Sequence, residues 1–199
     1  MFSFEKCARK ECQLDTLFKA DTCFHHLKDP EHYLAEIKEF LLSSKKIENL
    51  NFSGIHLEDI DLSEKEFYLC KMSSVRFSNV NFKKSRITLV FFDFSQFHNC
   101  NFQGSNIKES VFAGAEIYGC NMKNSDIGRC NFIGVKGKKT SFSDSNLYAT
   151  RFINADLDDI EFEDCNLKRT HFHKAQLRNV NFRFSNIEEA YFDGANKIV

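Results

Sequence analysis

The stretch NCNFQGSNIKESVFAGAEIYGCNMKNSDIGRCNF, from Asn99 to Phe132, repeats itself every five residues. Its large apolar residues fall at Phe102, Ile107, Phe112, Ile117, Met122, Ile127 and Phe132. Two residues before each lies a small one: Cys100, Ser105, Ser110, Ala115, Cys120, Ser125 and Cys130. Counted outward in both directions, the register holds from Phe52 to Phe192, with one lapse at Gly137 and one offender among the small positions, Lys65. A period of five fits neither a helix, at about 3.6 residues per turn, nor a strand, at about 2. A chain that sends a large side chain inward every fifth residue turns a corner at each repeat, and therefore coils into a solenoid.

Sorting the centres at a spacing of twenty separates them by type. One column reads Phe52, Met72, Phe92, Phe112, Phe132, Phe152, Phe172, Phe192, and another Leu62, Phe82, Phe102, Met122, Phe142, Phe162, Phe182. The columns between them are largely aliphatic, as in Phe67, Ile87, Ile107, Ile127, Leu147, Leu167, Ile187. Like stacks on like only if a coil takes twenty residues. Units such as Asn154-Ala155-Asp156-Leu157-Asp158 and Asn99-Cys100-Asn101-Phe102-Gln103 resemble the pentapeptide repeat family, including its quinolone-resistance and gyrase-protection members and uncharacterised bacterial ones. The resemblance implies an all-β solenoid, a right-handed quadrilateral β-helix with four pentapeptides per coil. At ~4.8 Å between neighbouring strands, about seven coils make a rod roughly 35 Å long.

Residues 1–46 break the fivefold rule, which divides the chain into an N-terminal segment and a repeat region over 47–199. Asp29-Pro30 is a helix start, with Asp as N-cap and Pro at the first helical position. Tyr33, Leu34, Ile37, Phe40 and Leu41 then share one face, so residues 30–44 are expected to form an amphipathic helix capping the first coil. Ahead of it lie Cys7, Cys12, Cys23, His25, His26 and His32. Zinc is the sharp reading, but the spacing does not match the common closed motifs. The expectation is no metal and no cofactor, with Cys7 and Cys12, five apart, in a degenerate coil or in the core of the cap. Five further cysteines, Cys70, Cys100, Cys120, Cys130 and Cys165, sit at small inward positions and read as buried apolar residues rather than disulfide partners.

The surface offers three candidate sites. Phe91, Phe94, Val111, Ile133 and Ile153 form an apolar strip on the outside of one face, fitted to a protein partner unless the N-terminal segment covers it. Asp156, Asp158, Asp159, Glu161, Glu163 and Asp164 make an acidic patch. At a spacing of twenty, Lys136, Lys138 and Lys139 lie beneath its first three members, and Arg178 and Arg183 lie above Asp158 and Glu163. The patch is thus expected to be neutralised within the rod. Phe192, Ala195 and Ile198 leave the last coil open and suit an end-to-end homodimer, although the C-terminal dimer helix usual in the family is absent. Asn81, Asn101 and Asn121, and Asn106, Asp126, Asn146, Asn166 and Asn186, read as stacked polar ladders. Around Gly137 the spacing does not fit a phosphate-binding loop, and a bulged corner is expected.

No apolar run is long enough to span a membrane. Met1-Phe2-Ser3-Phe4-Glu5-Lys6 lacks the order of a signal peptide, and a cytoplasmic location is expected. His171 and His173 point outward with no poised nucleophile, so no enzyme is expected. The resemblance raises mimicry of DNA against gyrase or another type II topoisomerase. Duplex DNA carries a charge every ~1.7 Å, so a faithful mimic of this length needs on the order of twenty net negative charges. From Ile47 onward the chain has 19 Lys and Arg against 20 Asp and Glu, a difference of one. That balance, with no basic stripe for direct nucleic-acid binding, favours a scaffold for an unidentified protein partner over the gyrase alternative.

Overall fold

The computed structural model describes residues 4–196. From Lys46 to Asn196 the chain is a parallel β-solenoid of about seven coils. One sheet stacks Lys46–Glu48, Glu66–Tyr68, Arg86–Thr88, Asn106–Lys108 and Asp126–Gly128. The other stacks His56–Glu58, Arg76–Ser78, Gln96–His98, Glu116–Tyr118, Lys136–Ser141, Asp156–Glu161 and Gln176–Asn181. Every pairing joins residues twenty apart, for example Ile87 with Ile107 and Lys138 with Asp158. The remaining two sides of the square are held by single bridges, such as Lys71 with Phe91 and Asn81 with Asn101.

The columns read from the sequence are stacks in space. Phe92, Phe112, Phe132, Phe152, Phe172 and Phe192 lie ring on ring at centroid separations of 4.9, 4.6, 4.9, 5.2 and 4.9 Å. Phe142, Phe162 and Phe182 do the same on the opposite side, and the two stacks meet edge to face. Burying each such ring contributes about 1.5–3 kcal/mol. The small inward residues add a polar link that apolar side chains could not. Ser95 Oγ donates to the carbonyl of Met72 at 2.7 Å, Ser125 to Phe102 at 2.9 Å and Thr150 to Ile127 at 2.8 Å, each reaching the centre of the coil below.

Each corner is made by the residue two places after a centre, which adopts left-handed backbone: φ is 57° at Phe94, 56° at Leu89 and 56° at Ala149. Such φ values exclude β-branched side chains on steric grounds. None of the residues with positive φ among those described is Val, Ile or Thr. Asn one place before a centre tightens the same turn, its Oδ1 accepting the N–H two residues on, as Asn101 does from Gln103 at 3.1 Å. Asn166 Nδ2 donates to Asn146 Oδ1 at 2.9 Å, and Asn146 Nδ2 to Asp126 Oδ1 at 2.8 Å, so that ladder is real.

Gly137 corrects one expectation. It forms no bulge: it lies inside the strand Lys136–Ser141, paired with Ile117 below and Leu157 above. The missing side chain is replaced from the next coil, since a Cβ at Gly137 would stand 2.9 Å from Leu157 Cδ2 and 3.3 Å from Ile160 Cδ1.

The helix runs Pro30–Ser43, with Asp29 Oδ1 accepting the His32 N–H at 3.0 Å. Tyr33, Ile37 and Leu41 are buried in one continuous core with Ile47 and Phe52, closing the first coil. No helix among the described residues is long and apolar enough to cross a membrane.

Candidate functional site

Residues before the helix form a strap along one side of the rod. Lys6 and Asp15 make an antiparallel bridge, the Phe18 N–H bonds the carbonyl of Asn51 at 2.8 Å, and Asn51 Nδ2 bonds the carbonyl of Thr16 at 2.7 Å. Asp15 Oδ2 lies 2.6 Å from Lys71 Nζ, and Phe24 rests its Cβ against the open face of Gly54. The strap therefore lies on the side carrying the aromatic column, over the coils of Asn51 and Lys71. Of the two places expected for Cys7 and Cys12, a degenerate coil or the core of the cap, the coil is not formed among the described residues, because this segment folds back on itself through the Lys6–Asp15 bridge instead of continuing the square.

The apolar strip begins where the strap stops. Going up one outward column, Ser73 donates to Asp93 at 2.8 Å, then come Ala113, Ile133 and Ile153, then His173, whose Nε2 is 3.1 Å from Asp193. Val111, Ile133 and Ile153 are half-buried, as is Phe91, which bridges to Val111. Phe94 is 68% exposed and sets one edge of its ring against Gly114, where a Cβ would come within 2.8 Å of its Cδ1 and Cε1. Gly114 thus belongs to the strip as its floor, and the sign of it in the sequence is a glycine twenty residues after an outward aromatic.

The acidic patch is answered inside the rod only in part, by cations at Asp156 and Asp158 and by an amide at Glu161. Lys138 Nζ meets Asp158 at 3.3 Å, as the register requires. Lys136 turns down to Glu116 at 3.3 Å, and Arg178, stacked over Asp158, reaches across to Asp156. Burial pushes the Asp158 carboxyl up, but Lys138 and Asn179 outweigh it and hold it below the usual carboxylate range. Glu161 accepts from Asn181 at 2.6 Å. Asp159 and Asp164 are exposed, and Glu163 is half-buried. At the far end Phe192 and Ala195 are half-buried beside the exposed Phe184, Ile187 and Tyr191, while Ile198 lies outside the described residues.

The N-terminal cysteines and one histidine gather into a second candidate site. The ligand atoms of Cys7, Cys12, Cys23 and His26 all lie within 4.8 Å of one another; His25 and His32 are exposed and stand apart. The spacing argument against a metal does not hold, since the halves are Cys7-x4-Cys12 and Cys23-x2-His26, each within the usual gap for a closed site. Burial pushes the Cys7 thiol up, yet hydrogen bonds with the backbone at Cys23 and Arg9, and with His26 and Cys12, bring it down to about 6. Three rod thiols go the other way: burial raises Cys70 to about 11 and Cys130 and Cys165 to about 12.

Two family models match the repeat region, one described as pentapeptide repeats over residues 95–134 and one as a pentapeptide repeat region over residues 129–192. Comparison with curated protein sequences finds no match. Among solved structures, a trypsin-treated variant of QnrB1, a plasmid-mediated fluoroquinolone resistance protein, superposes with a TM-score of 0.54 at 20% identity, covering 78% of this chain and 83% of its own. Full-length QnrB1 gives a TM-score of 0.37 at 20% identity over 76% and 83%. HetL, a pentapeptide repeat protein involved in heterocyst differentiation regulation from Nostoc sp. strain PCC 7120, gives 0.23 at 12% identity over 85% and 97%. The first of these likenesses shows a shared fold.

Proposed function

Because the chain belongs to the pentapeptide repeat family, we propose that it is a non-enzymatic cytoplasmic scaffold that presents the rod face around Phe94 to a protein partner. The carrying observation is the exposed ring of Phe94 on Gly114, continued by Ile133 and Ile153 and bounded by polar residues at both ends. An exposed aromatic braced against a glycine and continued by apolar neighbours is the kind of anchor that carries binding energy between proteins. The partner's matching surface is apolar at its centre, with polar groups opposite Asp93 and His173. Phe94→Asp and Ile133→Asp test this, and aspartate tolerates the left-handed backbone of position 94. A partner cross-linked by the parent chain and by a control substituted on the opposite side, Lys84→Gln, should be recovered at least tenfold less by either strip variant. Equal recovery from all four removes the strip.

The likeness of fold to QnrB1 supports a second reading, binding to DNA gyrase with protection against a quinolone. The balanced charge of the rod confines any mimicry of DNA to a local patch, and Asp156 and Asp158 are already paired. Gyrase supercoiling assays with and without a quinolone decide it: no rescue at any ratio of protein to enzyme removes this reading. Pairing of two copies through the open end at Phe192 and Ala195, flanked by the exposed Phe184, Ile187 and Tyr191, is also proposed. Sedimentation should show a dimer that Phe184→Asp dissociates.

A further inference from the structure

We propose that Cys7, Cys12, Cys23 and His26 bind one zinc ion, which clasps the N-terminal strap to itself beside the first coils of the rod. Cys12 Sγ is 3.8 Å from Cys23 Sγ, and His26 Nδ1 is 3.3 Å from Cys7 Sγ and 3.4 Å from Cys23 Sγ. A tetrahedral zinc with Zn–S of about 2.3 Å and Zn–N of about 2.0 Å sets neighbouring sulfurs about 3.8 Å apart and sulfur about 3.5 Å from nitrogen. The three separations fall on that tetrahedron. A disulfide between Cys12 and Cys23 needs sulfurs at about 2.05 Å, well short of the observed gap.

Local structure aims all four ligands at one point. The Cys7 N–H bonds the carbonyl of Leu14 at 2.9 Å, which closes a loop that carries Cys12, whose own N–H bonds Arg9 at 3.1 Å. Cys23 and His26 sit at the two ends of a single turn of 3-10 helix, Phe24–His26, with the His26 N–H on the Cys23 carbonyl at 3.0 Å. Cys7 and Cys23 are buried. Three thiolates and an imidazole suit zinc over magnesium or calcium, which take oxygen ligands. Four protein ligands leave no open position, so the ion is structural rather than catalytic.

The strap has reason to need it. Apart from the Lys6–Asp15 bridge it forms no ladder, and only Cys7, Leu17 and Cys23 of its described residues are buried apolar ones. A segment that buries so little apolar surface is held only weakly against its own ordering cost, and a cross-link adds what its few ties to the rod lack.

Full-length protein purified under reducing conditions without chelator should carry one zinc per chain by elemental mass spectrometry. Apo protein titrated with Co2+ should show thiolate-to-cobalt charge transfer and intense tetrahedral d–d bands, saturating at one equivalent and displaced by Zn2+. Cys12→Ser and His26→Ala should weaken zinc at least tenfold in competition with a chromogenic chelator, and His25→Ala should not. Metal-free protein whose Co2+ titration shows no charge transfer overturns the proposal, as does a Cys12–Cys23 disulfide found by intact mass under the same conditions. Equal zinc affinity in parent and His26→Ala overturns the ligand assignment. The parent titration keeps the test valid even where a variant misfolds.

Discussion

The ammonium of Lys65 lies 2.8 Å from the carbonyl of Leu42 and 2.7 Å from that of Ser44. A charged residue at an inward position thus serves as the C-terminal cap of the helix Pro30–Ser43, satisfying carbonyls that the helix leaves unpaired and meeting the negative end of its dipole. Lys65→Met should cost about 1–3 kcal/mol, the penalty of leaving buried acceptors unmet. Amide exchange should accelerate in the helix and first coil and stay unchanged beyond Phe102, because a solenoid couples only neighbouring coils. Uniform acceleration along the rod would contradict the local role.

Position 149 tests the corner rule. Ala149 has φ of 56°. Ala149→Gly should stabilise the rod by up to about 1 kcal/mol, and Ala149→Val should destabilise it by about 1–3 kcal/mol, in denaturant titrations. The reverse order would mean that the turn tolerates β-branching.

The aromatic stack gives a graded prediction. Phe112 lies between Phe92 at 4.9 Å and Phe132 at 4.6 Å, whereas Phe192 stacks on Phe172 at 4.9 Å and is only half-buried. Phe112→Ala should cost about 3–5 kcal/mol and Phe192→Ala less than half as much. Calorimetry on the two variants measures the difference.

Asp15 ties the strap to the rod in a pH-dependent way. Burial pushes its carboxyl up, but Lys6 and Lys71 outweigh this and hold it below the usual carboxylate range. A carboxylate depressed in the folded state contributes stability that is complete above its unfolded value of about 3.9 and is lost as pH falls through the folded value. In chelator-treated protein, amide exchange in residues 14–18 should therefore rise on acidification below about pH 4. Asp15→Asn should show the faster exchange already at neutral pH.

Three of the rod thiols should be silent. Native protein treated with chelator and iodoacetamide should be labelled at Cys7 and Cys12, while Cys70, Cys130 and Cys165, buried and raised to about 11 or 12, should react only after denaturation.

The rod was legible because each centre repeats one demand, a large apolar side chain facing inward, and twenty-residue stacking sorts those centres by type. Asp29-Pro30 marked the helix for an equally local reason. What escaped needed side-chain reach rather than register. Lys65 breaks the pattern until Ser44 is placed below it, and Arg178 leaves its stacked partner Asp158 for Asp156 because a guanidinium on a long stem reaches past its own register position. Gly137 looked like a defect because its replacement, Leu157, comes from another coil. Cys7, Cys12, Cys23 and His26 follow no period at all, since a folded-back loop brings ligands together by its ends.

A chain whose every coil repeats the same twenty-residue pairing has a modular length. Duplicating or deleting one such block inside the uniform run from Phe92 to Phe172 would move the two ends of the rod by about one strand spacing, ~4.8 Å, and leave the strap and its clasp undisturbed. The distance between the N-terminal clasp and the far tip is therefore an adjustable ruler, set in discrete steps by gene-level insertions rather than by redesign of any surface.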